Sequence, residues 1–278
     1  MFKGALAVAA GAAALIPAEL LLRQVKPDLP PYLPRQFHRL LLRGLGVDVR
    51  LHGAPARRRG VLLVVNHLSW ADIPVLGSQL LGQFVAKAEV AQMGPVGWFA
   101  GLQRTIYIDR ERKRTTGAQR NAVAERLAAG ANVILFPEGT TGDGVDVRPF
   151  NSSLFAAVEG VEDALVQPVS LAYTRIRGMP ITRRRLSEVV WLGDVGIGEH
   201  AGDFLRLGQV TAEILCHPAV RPGDFADRKA LARHCQAAVA KGYAYLMRGG
   251  DVPPSGSGDA PPSGSDNVAS ARSDDVPL

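Results

Sequence analysis

Cysteine is almost missing from this sequence. Of 278 residues only Cys216 and Cys235 are cysteines; they form no CxxC pair and have no zinc-type spacing, so neither a disulfide framework nor a metal knuckle is expected. A reducing compartment is the simpler setting. No GxSxG elbow occurs anywhere in the chain, which argues against a hydrolase working through a covalent acyl-enzyme. Acidic residues are outnumbered, giving a formal charge of +6 and a pI near 9.6, a balance that favours anionic partners. The arginine triplets Arg57-Arg58-Arg59 and Arg183-Arg184-Arg185 have no aromatic platform beside them and no recognition helix is evident, so nucleic acid is not expected as a partner. Aliphatic residues nearly vanish from 249–278, where Pro, Ser, Gly and Asp dominate; this stretch reads as a disordered tail. No internal repeat is visible.

What is present is ample apolar material, 47% of the chain, enough for a sizeable core. The layout reads as an N-terminal segment over 1–26, a domain over 27–248, and the tail. From Gly4 to Leu22 the residues are nearly all Ala, Val, Leu and Ile, broken by Gly11, Pro17 and Glu19. A helix of that length would reach ~28 Å, the depth of a hydrocarbon core. A membrane anchor is the leading reading, with a cleaved signal peptide or an ordinary core helix as alternatives. Arg35, Arg39 and Arg43 follow it and by the positive-inside bias would keep the domain on the cytoplasmic side of the inner membrane. The spacing of Phe37, Leu40, Leu41 and Leu45 predicts an amphipathic helix over 34–45, suited either to a membrane surface or to packing on the domain.

Beyond it, apolar runs at 47–51, 61–65, 84–86, 105–108, 132–136, 164–169 and 210–215 read as strands, the sixth broken at Pro168. Helical patterns over 72–81, 115–129, 151–158 and 227–247 alternate with them, and 94–101 is a Gly- and aromatic-containing segment. The alternation predicts one α/β domain with a mixed, largely parallel sheet flanked by helices. In such sheets ligands gather at the C-terminal strand ends. Three polar groups fall at such ends: His67 with Asp72, Asp109 with Arg110, and Glu138 with Gly139.

His67 follows the strand 61–65 and Asp72 opens the next helix, so the imidazole and carboxylate can meet across one turn. An acid that orients a neutral histidine suits a general base taking a proton from an alcohol; a lone histidine satisfying a strand end is the competing reading. With no serine or cysteine nucleophile nearby, the hydroxyl to be activated would belong to the substrate. Arg110 offers a fork for phosphate or carboxylate, or an ion pair with Asp109 or Glu138. Glu138 would accept hydrogen bonds from substrate hydroxyls or hold Arg110. Lys87 ends the strand 84–86 and is a further candidate for substrate binding, as is Thr140.

These residues carry a resemblance. Asn66-His67-Leu68-Ser69-Trp70-Ala71-Asp72, Tyr107-Ile108-Asp109-Arg110, Phe136-Pro137-Glu138-Gly139-Thr140-Thr141 and Val166-Gln167-Pro168-Val169-Ser170 resemble the four ordered blocks of the glycerolipid acyltransferase family, over roughly 40–174. The resemblance implies a membrane-associated enzyme, needing no cofactor, that moves an acyl chain from acyl-CoA or acyl carrier protein to the free hydroxyl of a lysolipid. His67 would be the base and Asp72 its orienting partner. Arg110 would hold the headgroup, Glu138 and Gly139 would shape the acceptor site, and Pro168 would belong to the fourth block. Lysophosphatidate is the first acceptor this implies. Many phosphatidate-forming members carry a basic residue after the third block, whereas Thr141 stands here; the run through Gly142-Asp143-Gly144 to Arg148-Pro149-Phe150 is more similar to the bacterial branch that acylates lyso-ornithine lipid. That acceptor is the alternative, by the same chemistry. A thioesterase using His67 to activate water and a basic membrane-surface module are the remaining readings.

Overall fold

The computed structural model describes residues 2–25, 32–108, 116–193 and 196–249. Two helices lead, α1 (Phe2–Val25) and α2 (Tyr32–Leu45), followed by β1 (Val47–His52), β2 (Val61–Val65), α3 (Asp72–Gln79), β3 (Gln83–Lys87), α4 (Gly94–Leu102), β4 (Ile106–Ile108), α5 (Thr116–Ala128) and β5 (Val133–Leu135). The chain closes with β6 (Leu165–Ile176), the short β7 (Met179–Pro180), α6 (Ile197–Arg206), β8 (Val210–Cys216) and α7 (Arg228–Met247). The strands form one sheet in the order β1-β8-β6-β2-β5-β3-β4, with β7 hairpinned onto β6. Neighbours run parallel except at β6–β8 and β6–β7. This is the α/β domain with a mixed, largely parallel sheet that the alternation of patterns predicts.

Strand β2 explains why its sequence is aliphatic without interruption. All five residues are buried. Val61, Leu63 and Val65 pack into the core layer that holds Leu42, Val75, Leu76 and Phe204, while Leu62 and Val64 pack into the opposite layer with Val123, Leu127, Leu231 and Cys235. A strand covered by helices on both faces has no side left for polar residues. The strands β5, β3 and β4, which follow β2 in the sheet and run parallel to it, end at the same edge, so the loops after them converge there.

Two expectations change, and the segment 94–101 gains an assignment. Pro168 does not end its strand: β6 runs twelve residues through it. A proline brings only an acceptor to the ladder, and His217 N–H uses it at 3.0 Å, so the break falls where no donor was required. The segment 94–101 is a helix, α4, with Pro95 in its first turn, where a missing N–H has no cost. Lastly, among the described residues no helix is long and apolar enough to cross a membrane, so the spanning anchor expected over 1–26 is not found. Pro17 lies inside α1, Glu19 is buried, and one face packs on α2, where a Cβ on Gly11 would overlap Leu40. The tail expected over 249–278 lies almost wholly outside the described residues.

Candidate active site

The site begins where β6 outruns β2. Val65, the last residue of β2, pairs with Val169 of β6, and β6 continues to Ile176 against β8. Asn66 extends the pairing with its side chain: Nδ2 donates to Leu171 O at 2.9 Å and Oδ1 accepts from Leu171 N at 2.8 Å. The chain then turns through His67–Ala71 into α3.

Asp72, the first residue of α3, is completely buried and its carboxylate organises that turn. Oδ2 accepts Leu68 N–H at 2.6 Å, Ser69 N–H at 2.9 Å and His67 Nδ1–H at 2.7 Å. Oδ1 accepts the Tyr173 hydroxyl at 2.8 Å. A buried carboxylate with four donors is satisfied as an anion, which places the imidazole proton on Nδ1 and leaves the Nε2 lone pair for substrate. The imidazole stacks on Phe136, centroids 4.0 Å apart at 16°, with its side chain 19% exposed. Sequence and structure agree on the placement: His67 and Asp72 meet across one turn.

The loop after β5 holds the histidine by its backbone. Glu138 Oε1 accepts His67 N–H at 2.9 Å, its Oε2 accepts Arg148 N–H at 3.2 Å, and Gly142 N–H donates to His67 O at 2.7 Å. Gly139 makes the turn at a φ of 78°, which a side chain would strain. Burial pushes the Glu138 carboxyl up to about 7, against the pull of the two N–H donors. Both described bonds of Glu138 therefore go to backbone, and it shapes the site through the 138–148 loop. From the other side Trp191 N–H donates to Leu68 O at 2.9 Å, Trp70 Nε1–H donates to His200 Nδ1 at 2.9 Å, and His200 Nε2–H donates to Val190 O at 3.0 Å. Nothing local in the sequence assigns the partners of Asn66, Tyr173 or His200, since each acts on a residue remote in the chain.

His67 opens on a cavity of about 1100 Å³. Apolar side chains of α1, α2 and α4 line much of it, Ala12, Leu41, Val96 and Phe99 among them, and Trp191, Leu192 and Ile197 close another side. Polar and charged lining comes from His67, Lys87, Glu89, Gln103 and the segment Gly139-Thr140-Thr141. Lys87, Gly139 and Thr140 thus share a wall with His67. Buried His38 also lines it, its pKa pushed down to about 4 by burial, so it stands there uncharged. Arg110 lies outside the described residues. Among those described no cluster of His, Cys, Asp and Glu suited to a metal ion occurs.

The chain's likeness to known proteins agrees with this geometry. The Acyltransferase family model matches residues 48–172. The lyso-ornithine lipid O-acyltransferase of Rhizobium meliloti (strain 1021) is 40% identical over 230 residues, covering 80% of this chain and 79% of that one. The 1-acyl-sn-glycerol-3-phosphate acyltransferase of Neisseria gonorrhoeae is 34% identical over 137 residues, 49% of this chain and 53% of that one. Among solved structures, the 1-acyl-sn-glycerophosphate (LPA) acyltransferase PlsC of Thermotoga maritima superposes with a TM-score of 0.61 at 23% identity, covering 84% and 88% of the two chains; that likeness speaks for the fold. On these grounds the chain belongs to the acyltransferase family and is an enzyme.

Proposed function

We propose that the protein is a lyso-ornithine lipid O-acyltransferase, moving a fatty acyl chain from a thioester donor, acyl-CoA or acyl carrier protein, to the free hydroxyl of lyso-ornithine lipid at the cytoplasmic face of the inner membrane. The observation that carries it is the His67 Nδ1–Asp72 bond of 2.7 Å at the wall of an apolar cavity of about 1100 Å³, room for an aliphatic chain beside a base. In the reaction Nε2 takes the proton of the acceptor hydroxyl as its oxygen attacks the thioester carbonyl. The C–S bond then breaks and the proton passes from Nε2 to the departing sulfur. Asp72 keeps the ring in the productive tautomer and stabilises the imidazolium between the two transfers.

Two features support the ornithine acceptor over lysophosphatidate, the first reading. Likeness to the Rhizobium lyso-ornithine enzyme runs along about four fifths of both chains, while likeness to the Neisseria phosphatidate-forming enzyme covers about half. Thr141, buried at the cavity wall, puts a neutral hydroxyl where a phosphate headgroup would call for charge. The membrane placement is supported by exposed Leu20, Leu21, Val25 and Tyr32 on α1 and α2, in a chain segment that also carries Arg39 and Arg43.

The test is to supply labelled acyl-CoA or acyl carrier protein with either lysolipid. Acylated ornithine lipid should form and should fall at least ~100-fold in His67→Ala, the size of a lost general base. Transfer to lysophosphatidate alone would refute the acceptor, and free fatty acid as the sole product would point to a hydrolase.

A further inference from the structure

Strand β6 supplies a group the acyl transfer has not yet been given. We propose that Tyr173 is a positioning residue for catalysis, setting both the orientation and the basicity of Asp72 and through it the readiness of His67 to take a proton. The proposal rests on His67 being the base. It needs no choice between acceptors.

Four donors surround the Asp72 carboxylate, and they divide unevenly. Three reach Oδ2, namely His67 Nδ1, Leu68 N and Ser69 N, whereas Oδ1 has Tyr173 Oη at 2.8 Å as its described donor. With Asp72 completely buried, no bulk water stands in for that hydroxyl. The tyrosine therefore prevents the carboxylate from rotating to exchange its oxygens, and keeps Oδ2 facing the imidazole. It also withdraws charge from the carboxylate. An aspartate with fewer donors is more basic and grips the Nδ1 proton and the imidazolium more tightly.

The fold delivers this hydroxyl deliberately in geometric terms. Leu171 is fixed to the Asn66 side chain by two hydrogen bonds, and Tyr173, two residues along the same strand, projects on the same face. The β6–β8 register shifts between Tyr173 and Arg175, a local irregularity of the kind that re-aims a side chain. Phe204 of α6 braces the ring edge-to-face, centroids 6.3 Å apart. Burial and the neighbouring Asp72 hold the phenol well above its ordinary pKa, so it remains a donor at every working pH. Tyr173 also lies one residue beyond the segment that the family model matches.

Tyr173→Phe removes the donor and keeps the ring. The other ionisable groups around the pair, Glu138 after β5, His200 on α6 and Tyr243 on α7, stay in place. Using whichever lysolipid the wild type acylates, kcat should fall about tenfold with KM within about twofold, and the acid limb of the kcat/KM profile should move up by about half to one pH unit, the scale of one hydrogen bond to a charged group. Replacing Tyr173 by 3-fluorotyrosine, a near-isosteric and more acidic phenol, should move the limb the other way. Phe204→Leu, which loosens the brace but spares the hydrogen bond, should lower Tm and leave the limb where it is. A Tyr173→Phe enzyme with unchanged kcat and limb, or a Phe204→Leu enzyme with an equal limb shift, would overturn the proposal. Retained activity in His67→Ala would overturn the base assignment itself and is read separately.

Discussion

Glu138→Gln separates the stability of the 138–148 loop from its service to the base. In the folded protein burial raises the Glu138 carboxyl from an ordinary 4.5 to about 7. The folded state therefore holds that proton more tightly than the unfolded chain does. Its stabilising contribution is fully present below about pH 4.5 and is lost as pH rises through about 7. A rise of this size corresponds to about 3 kcal/mol, and since Glu138 keeps some contact with water, about 2 kcal/mol is expected after screening. At 2–4 °C per kcal/mol for a domain of this size, wild-type Tm should fall by about 4–8 °C between pH 4.5 and 8.5 relative to the glutamine variant, which has no proton to lose. Thermal melts of both proteins at constant ionic strength measure the difference. Parallel Tm curves would refute the reasoning. Activity should run the opposite way. Above about pH 7 the ionised carboxylate accepts both His67 N–H and Arg148 N–H, whereas glutamine presents an NH₂ to one of them, so the variant should lose kcat, about tenfold, at pH 8.5, where the wild-type carboxyl is ionised.

Two further substitutions test the frame around the base. A Cβ on Gly77 of α3 would overlap the ring of His38 on α2, so Gly77→Ala should cost about 2–3 kcal/mol by overpacking; adding His38→Ala should return most of it, a coupling that urea unfolding of the four proteins in the cycle would measure. Thr141→Lys places an ammonium at the buried cavity wall beside Gly139 and Thr140. It should lower Tm and raise the ratio of lysophosphatidate to lyso-ornithine acylation about tenfold in a competition assay, while an unchanged ratio would remove Thr141 from the account of acceptor choice.

Local pattern revealed what depends on local physics. The unbroken aliphatic run 61–65 marked a strand buried on both faces, and parallel strands share one C-terminal edge, so His67 and Glu138 were legible as neighbours although 71 residues apart. Asp227 was legible as a helix start, and its carboxylate accepts Ala230 N–H at 2.7 Å. Sheet order was not legible, and the missed residues follow from it. Only when β6 is known to lie beside β2 does Asn66 become a ladder extension and Tyr173 a partner of Asp72. Pro168 read as a break because the rule against strand proline concerns the donor, and here the neighbour needed the carbonyl. Headgroup choice turns on Thr141, and the sequence alone puts lysophosphatidate first; the ornithine acceptor proposed above draws its support from likeness over about four fifths of the chain.

The first helix has a further consequence. Val8, Ala9 and Ala12 of α1 line the same cavity as His67, so the segment a protein chemist would trim to improve solubility is part of the wall of the candidate site. A truncated protein would keep the His67–Asp72 pair and the sheet, and would lose one wall of that cavity.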